Sequence, residues 1–166
     1  MNLLVNFEEM KNYFFKKENI FYSLFILIIF FLDRVSKKEI INNFNENLYF
    51  INDYINFDLI WNIGIGFGFL STDSSIVYSM VTLFIGFVIL FLLYVFIYSE
   101  KIDKIIYCII IGGALGNYYD RLVYKAVPDF IDLHYNNFHW FTFNVADIFI
   151  TLGIMIFILR SFLAQN

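Results

Sequence analysis

The chain has 166 residues, of which 60% are hydrophobic, 22% aromatic and only 16% charged, with a formal net charge of −4. An average soluble domain holds roughly 45–50% apolar and about 25% charged residues, so a single soluble globule of this length could not hide so much apolar surface. Disordered, collagen-like and linker-rich chains are excluded by the lack of polar or Gly/Pro-rich composition, and the acidic balance argues against nucleic acid, which asks for a basic face.

In chain order, Met1–Glu18 is mixed and charged, and Asn19–Leu32 is an apolar run closed by Asp33, Arg34 and Lys37. No small-x-small cleavage site follows it, so this run is expected to be a retained membrane helix rather than a signal peptide. Ser74–Ser99 is the clearest span, 26 residues without a charge. Ile105–Tyr119 stops at Asp120, and Ile148–Leu159 lies between Asp147 and Arg160. A spanning helix needs about 20 mostly apolar residues. The three shorter runs reach that length only by carrying an acid near one membrane face. The expected architecture is one mainly α membrane domain, residues 1–166, with four transmembrane helices at about 17–37, 74–99, 104–121 and 145–163.

Four spans place both termini on one side. Lys11, Lys16, Lys17, Lys101, Lys104 and Arg160 then share that side, whereas the 39–73 connection has no Lys or Arg. The positive-inside rule makes the topology N-in and C-in, and Asp33, Asp120, Asp129 and Asp147 collect at the outer face. Within 39–73, Tyr49, Ile51, Ile55, Phe57, Leu59 and Trp61 alternate with mostly polar residues. That period of two predicts strand, and hence a small extracytoplasmic β-cradle.

Ionisable residues at a membrane edge are costly and point to function. Along Gly112–Arg121, Gly113, Asn117 and Asp120/Arg121 share a helix face, and Gly112 and Gly116 form a small-xxx-small pair suited to close packing. Asn117 and Arg121 are expected to face inward and hold backbone or carboxylate groups. In Phe143–Ile148, Asn144 and Asp147 are i, i+3 neighbours, and either could cap a helix. Between them lies Val127–Asp132, with Asp129 among apolar neighbours. Two carboxylates held close share a proton, one serving as base and the other as acid, although spacing leaves four acids competing for two roles. Cys108, in an apolar run, reads as a packing residue. One Cys and two His leave no zinc constellation, and His134 and His139 read as interfacial side chains.

Five motifs, in order, resemble the lipoprotein signal peptidase (signal peptidase II) family: Asp33-Arg34-Val35-Ser36-Lys37, Asn62-Ile63-Gly64-Ile65-Gly66-Phe67, Gly112–Arg121, Val127–Asp132 and Phe143–Asp147. The resemblance implies an aspartic endopeptidase with Asp129 and Asp147 as catalytic pair. It implies site-supporting or substrate-binding positions at Asp33, Lys37, Asn62, Gly64, Asn117, Asp120, Arg121 and Asn144, with Asp120 a structural partner of Arg121 and of neighbouring polar groups. It further implies prolipoprotein substrates bearing a diacylglyceryl-cysteine, contact with membrane lipid, no metal or organic cofactor, and residence in the bacterial inner membrane with the site near its outer face. A monomer is expected. The chain departs from the family pattern at Arg34, commonly Gln; at Lys125, often Gly; and at Pro128, where an apolar residue is usual. The alternative function is a small proton or ion transporter, which would carry its acids near the bilayer centre.

Overall fold

The computed structural model describes residues 16–44, 48–64, 75–136 and 138–164. Among the described residues four helices, α1 (Lys17–Asn43), α2 (Ser75–Tyr98), α3 (Lys101–Val123) and α4 (Val145–Leu163), carry one four-stranded antiparallel sheet. Its strands are β1 (Tyr49–Asn52), β2 (Ile55–Asn62), β3 (Val127–Tyr135) and β4 (Phe138–Phe143), in spatial order 1-2-3-4. Among the described residues α1, α2 and α4 are long and apolar enough to cross a membrane. The chain is therefore a multi-pass membrane protein.

The helices invert the pattern of a soluble bundle. On α1 the buried face reads Asn19, Ile26, Ile29, Asp33, Lys37 and Ile40, whereas Phe21, Leu24, Ile28, Phe31 and Leu32 are exposed. Steps of three, four and seven residues keep the polar side chains in one inward stripe. Helix α3 sits centrally, packed on α1, α2 and α4. It buries Lys104, Asn117, Asp120 and Arg121, and such polar side chains lower its average hydropathy although its 23 residues are of spanning length.

The glycines of α3 are contact points. A Cβ on Gly112 would meet the Ile29 side chain of α1, and one on Gly116 would meet Asp33. A Cβ on Gly113 would come within 2.6 Å of the Ala146 carbonyl oxygen, at the start of α4. The small residues thus let α3 approach two helices at once. Cys108 is fully buried and faces a neighbouring helix, donating to the Tyr22 carbonyl at 3.2 Å.

At the end of the bundle away from the sheet, Lys104 donates to Asn19 and to the Ile97 carbonyl, and Arg160 Nε lies 2.6 Å from Asp103 Oδ1. These contacts tie the start of α1 and α3 to the ends of α2 and α4.

The sheet differs from the expected cradle in three ways. Helix α1 continues through 39–43, where nothing breaks it and Ile40 is buried, before Phe44 closes on the Ile40 carbonyl. The alternating segment is two strands, because Asn52 Oδ1 accepts from the backbone N–H groups of Tyr54 and Ile55 and turns the chain. Half of the sheet comes from 127–143, which the alternation at 49–62 did not announce. The expected strand stretch 65–73, with Ile65, Gly66 and Phe67 of the second motif, lies outside the described residues.

Two departures in sequence acquire a local cause or consequence. Lys125 adopts φ 58° in the turn between α3 and β3, a left-handed conformation that glycine would adopt without steric cost. Pro128 lies opposite Trp61 of β2, at a stretch of β3 that precedes the start of its pairing with β4 at Ile131. A residue without N–H is tolerated where one side of the strand has no ladder.

Candidate active site

Five elements converge at the sheet end of the bundle: α1, β2, α3, β3 and the start of α4. The last of these begins with a capping box. Asn144, fully buried, accepts from the Asp147 backbone N at 3.1 Å, and Asp147 Oδ2 accepts from the Asn144 backbone N at 3.2 Å. This arrangement satisfies orphan N–H groups at the helix start and fixes the direction of Asp147.

Asn144 also reaches outward. Its Nδ2 donates to Asp129 Oδ1 at 2.6 Å. Asp129 Oδ2 accepts from Asn62 Nδ2 at 2.8 Å, while Asn62 Oδ1 accepts from the Gly64 backbone N at 2.7 Å. Asp147 Oδ1 accepts from Asn117 Nδ2 at 2.8 Å. The two acids therefore share Asn144, and each has a second asparagine of its own.

Behind Asn117 lies a buried ionic network. Lys37 Nζ, wholly inaccessible, is 2.7 Å from Asn117 Oδ1, 2.7 Å from Asp120 Oδ2 and 2.9 Å from Asp33 Oδ2. Asp33 Oδ1 accepts from the Ala146 backbone N at 3.0 Å, which links α1 directly to the first turn of α4. Arg34 completes the set by pairing with Asp120. The connections run without a break from Arg34 through Asp120, Lys37, Asn117, Asp147, Asn144 and Asp129 to Asn62.

Every residue the sequence marked for the site is in this assembly or touches it, but one partnership differs. Asp120 was expected to partner Arg121 and neighbouring polar groups; the neighbouring groups it pairs with are Arg34 and Lys37, and no ion pair joins it to Arg121 among the described residues. Successive residues on a helix point in different directions, so Arg121 leaves Asp120 and donates to the carbonyls of Gly64 at 2.8 Å and Asn117 at 3.2 Å. Arg34 was noted only as a departure from the family pattern. No spacing within α1 announces a partner 86 residues away on α3.

The electrostatics favour a retained proton. Burial first, and then the nearby Asp147 carboxylate, push Asp129 up from the usual carboxylate range to about 6, against the opposing pull of the Asn62 and Asn144 donors. Beside the pair runs an apolar groove of about 340 Å³ whose walls include Leu133, Phe141, Phe143, Ile148 and Leu152, with Asp147 and Thr151 as its polar residues. The arrangement sets two carboxylates, joined through Asn144, at the edge of an apolar groove.

Fold and site together define a multi-pass membrane protein with paired carboxylates at one end of its helices. Residues 25–163 match the family described as Signal peptidase (SPase) II, and the chain belongs to that family. It is 44% identical over 145 residues to the lipoprotein signal peptidase of Pelagibacter ubique (strain HTCC1062), covering 85% of this chain and 87% of that one. The lipoprotein signal peptidase of Francisella tularensis subsp. novicida (strain U112) is 38% identical over 120 residues, 70% of this chain and 74% of its own. Among solved structures, a bacterial membrane enzyme determined by the in meso method at 2.3 Å superposes with a TM-score of 0.74 at 25% identity, covering 87% of this chain and 89% of that one.

Proposed function

We propose that this protein is a membrane aspartic endopeptidase that removes signal peptides from diacylglyceryl-modified prolipoproteins, cutting just before the lipidated cysteine. The observation that carries the reading is the joint hold of Asn144 on Asp129 and Asp147 at the head of an apolar groove. Family membership supplies the reaction class.

In this mechanism Asp129 and Asp147 share one proton. One carboxylate takes a proton from water as its oxygen attacks the scissile carbonyl, and the other protonates that carbonyl oxygen. Collapse of the tetrahedral intermediate passes a proton to the departing amine. Asn62, Asn117 and Asn144 hold the pair in register, and Arg121 anchors the Gly64 backbone beside it. Asp33, Lys37 and Asp120 brace the helices beneath. The substrate's acyl chains stay in the bilayer, contributing about 0.8 kcal/mol per buried CH₂.

All four helices cross the inner membrane in the proposed topology, with both termini cytoplasmic and the acids at the outer face. The long buried polar stripe of α3 fits a span shielded from lipid by its three neighbours. The proposed working unit is a monomer, acting without metal or organic cofactor in catalysis. A transporter would carry its acids at mid-span, whereas these gather at one end.

The test is processing of a lipid-modified prolipoprotein by purified Asp129→Asn and Asp147→Asn variants. Each is expected to fall at least about 10³-fold while keeping its thermal unfolding midpoint near that of the parent. Wild-type rates in both variants would overturn the assignment.

A further inference from the structure

Strand β3 presents different chemistry on its two faces. Asp129, Ile131 and Leu133 alternate with Phe130, Asp132 and His134, and the carboxylate pair uses only the side of Asp129. On the opposite side Asp132 and His134 are 2% and 7% exposed. Neither has a part in the proposed cleavage.

An irregularity in the β3–β4 ladder adds a third residue. Asp132 lies opposite Thr142 and Leu133 opposite Phe141, but His134 lies opposite His139 rather than Trp140. One extra residue in β4 reverses which face the side chains beyond it occupy. The shift therefore places His139 on the side of Asp132 and His134. The imidazole rings stack with centroids 5.3 Å apart, and Asp132 Oδ2 lies 2.7 Å from His139 Nδ1 and 3.7 Å from His134 Nδ1. One donor atom from each of the three residues is within 4.8 Å of the others.

The Asp132–His139 contact leaves two polar atoms unexplained. His134 Nδ1 is buried and has no hydrogen-bond partner among the described residues. The same holds for Asn56 Oδ1, on a 4% exposed residue directly across from Asp132 in the β2–β3 ladder. Cross-strand partners share a sheet face, so both atoms belong to the neighbourhood of one carboxylate. Buried polar atoms without partners are destabilising, and a cation held beside Asp132 would satisfy His134 Nδ1.

We propose that Asp132, His134 and His139 bind a divalent transition-metal ion of the zinc class. Two imidazoles and one carboxylate suit zinc and its borderline neighbours, whereas calcium and magnesium favour all-oxygen sets. The His139 side chain is 52% exposed and gives the ion an entry from solvent. A water fills the fourth position. The ion clips β4 to β3 and so steadies the strand that carries Asp129 on its other face. Its role is structural, and the inference stands independently of the peptidase reading. A count of Cys and His alone misses such a site because the carboxylate completes the set.

The experiment uses tag-free, full-length protein in detergent, stripped with chelator and titrated with Co²⁺ and then Zn²⁺ at about pH 7.5, where imidazole is ordinarily neutral. One equivalent of Co²⁺ should bind with the visible absorption of a low-coordinate site, and Zn²⁺ should displace it. His139→Gln and the near-isosteric Asp132→Asn should each weaken binding by more than about tenfold. Asp129→Asn and Asp147→Asn should bind as the parent does. No stoichiometric Co²⁺ absorption, unchanged binding in either ligand variant, or loss of binding in Asp129→Asn would overturn the site. The readout requires no peptidase activity, so its failure is distinguishable from failure of the catalytic proposal.

Discussion

Asn144 donates its side-chain amide to Asp129 at 2.6 Å while its carbonyl oxygen caps the helix that begins with Asp147. One buried side chain thus both starts α4 and sets one acid against the other.

The two duties can be separated by mutation. Asn144→Ala removes both, costing about 1 kcal/mol for the lost cap and leaving Asp129 without its shortest donor. Asn144→Ser restores a capping hydroxyl that is too short to reach Asp129. We expect Ser to recover most of the unfolding midpoint lost in Ala, while processing stays at least about tenfold down in both. Recovery of activity together with stability would mean that capping alone is what Asn144 supplies.

The proton on Asp129 sets a pH dependence. Its pKa is raised to about 6, so the carboxyl is protonated below that pH and loses its proton as the pH rises. Since the mechanism needs one proton on the pair, kcat/KM measured against pH should decline on the alkaline side through about 6. The Asn62 donor favours the ionised form and lowers this pKa. Asn62→Ala should therefore move that limb to higher pH. A limb that stays in place, or moves down, contradicts the assignment.

Lys37 is the common cation of two wholly buried carboxylates. Lys37→Met should destabilise the protein by about 3–5 kcal/mol, because it leaves buried negative charge uncompensated. Adding Asp120→Asn should recover part of the loss by removing one of those charges. Reversible denaturation in detergent reads both, and an unaffected midpoint in Lys37→Met would rule out the network as a stabilising element.

Close packing at α3 gives a graded comparison. A Cβ at Gly113 would press on backbone, the Ala146 carbonyl, one residue before Asp147. At Gly86 of α2 it would meet no backbone among its nearest atoms, only the outer end of the Tyr118 ring, with the hydroxyl at 2.7 Å and Cζ at 3.1 Å. Gly113→Ala should cost about 1–3 kcal/mol and reduce processing by displacing the start of α4, with Gly86→Ala nearer to neutral in both assays. Equal effects would indicate that α4 is not held by this contact.

Much of the architecture was legible because a lipid environment simplifies the code. Uninterrupted apolar runs marked the helices, and the few polar residues within them marked the site. Asn117 and Asn144 stood out for this reason, and both meet the carboxylates. Partner choice was less legible. Asp120 pairs with Arg34 and Lys37 of α1 rather than with adjacent Arg121, since pairing depends on how two helices are rotated about one another. The second hairpin was hidden for another reason. Val127–Phe143 is read first as motif and turn, and its period is disturbed by the register shift that brings His139 opposite His134. The left-handed Lys125 shows the converse: a position where glycine is usual was visible in sequence, and its backbone geometry explains the preference.

The adjacency of β2 and β3 has a temporal side. Asn62 and Asp129 are 67 positions apart, with two whole helices threaded between the strands that carry them. During synthesis, in the proposed topology, those helices are laid into the bilayer before the ladder between β2 and β3 can close. Asp147 and the residue that orients it emerge later still. The chain thus acquires its paired acids only as α4 takes its place, so on the proposed assignment a partly inserted nascent protein holds no assembled cutting centre beside the precursors around it.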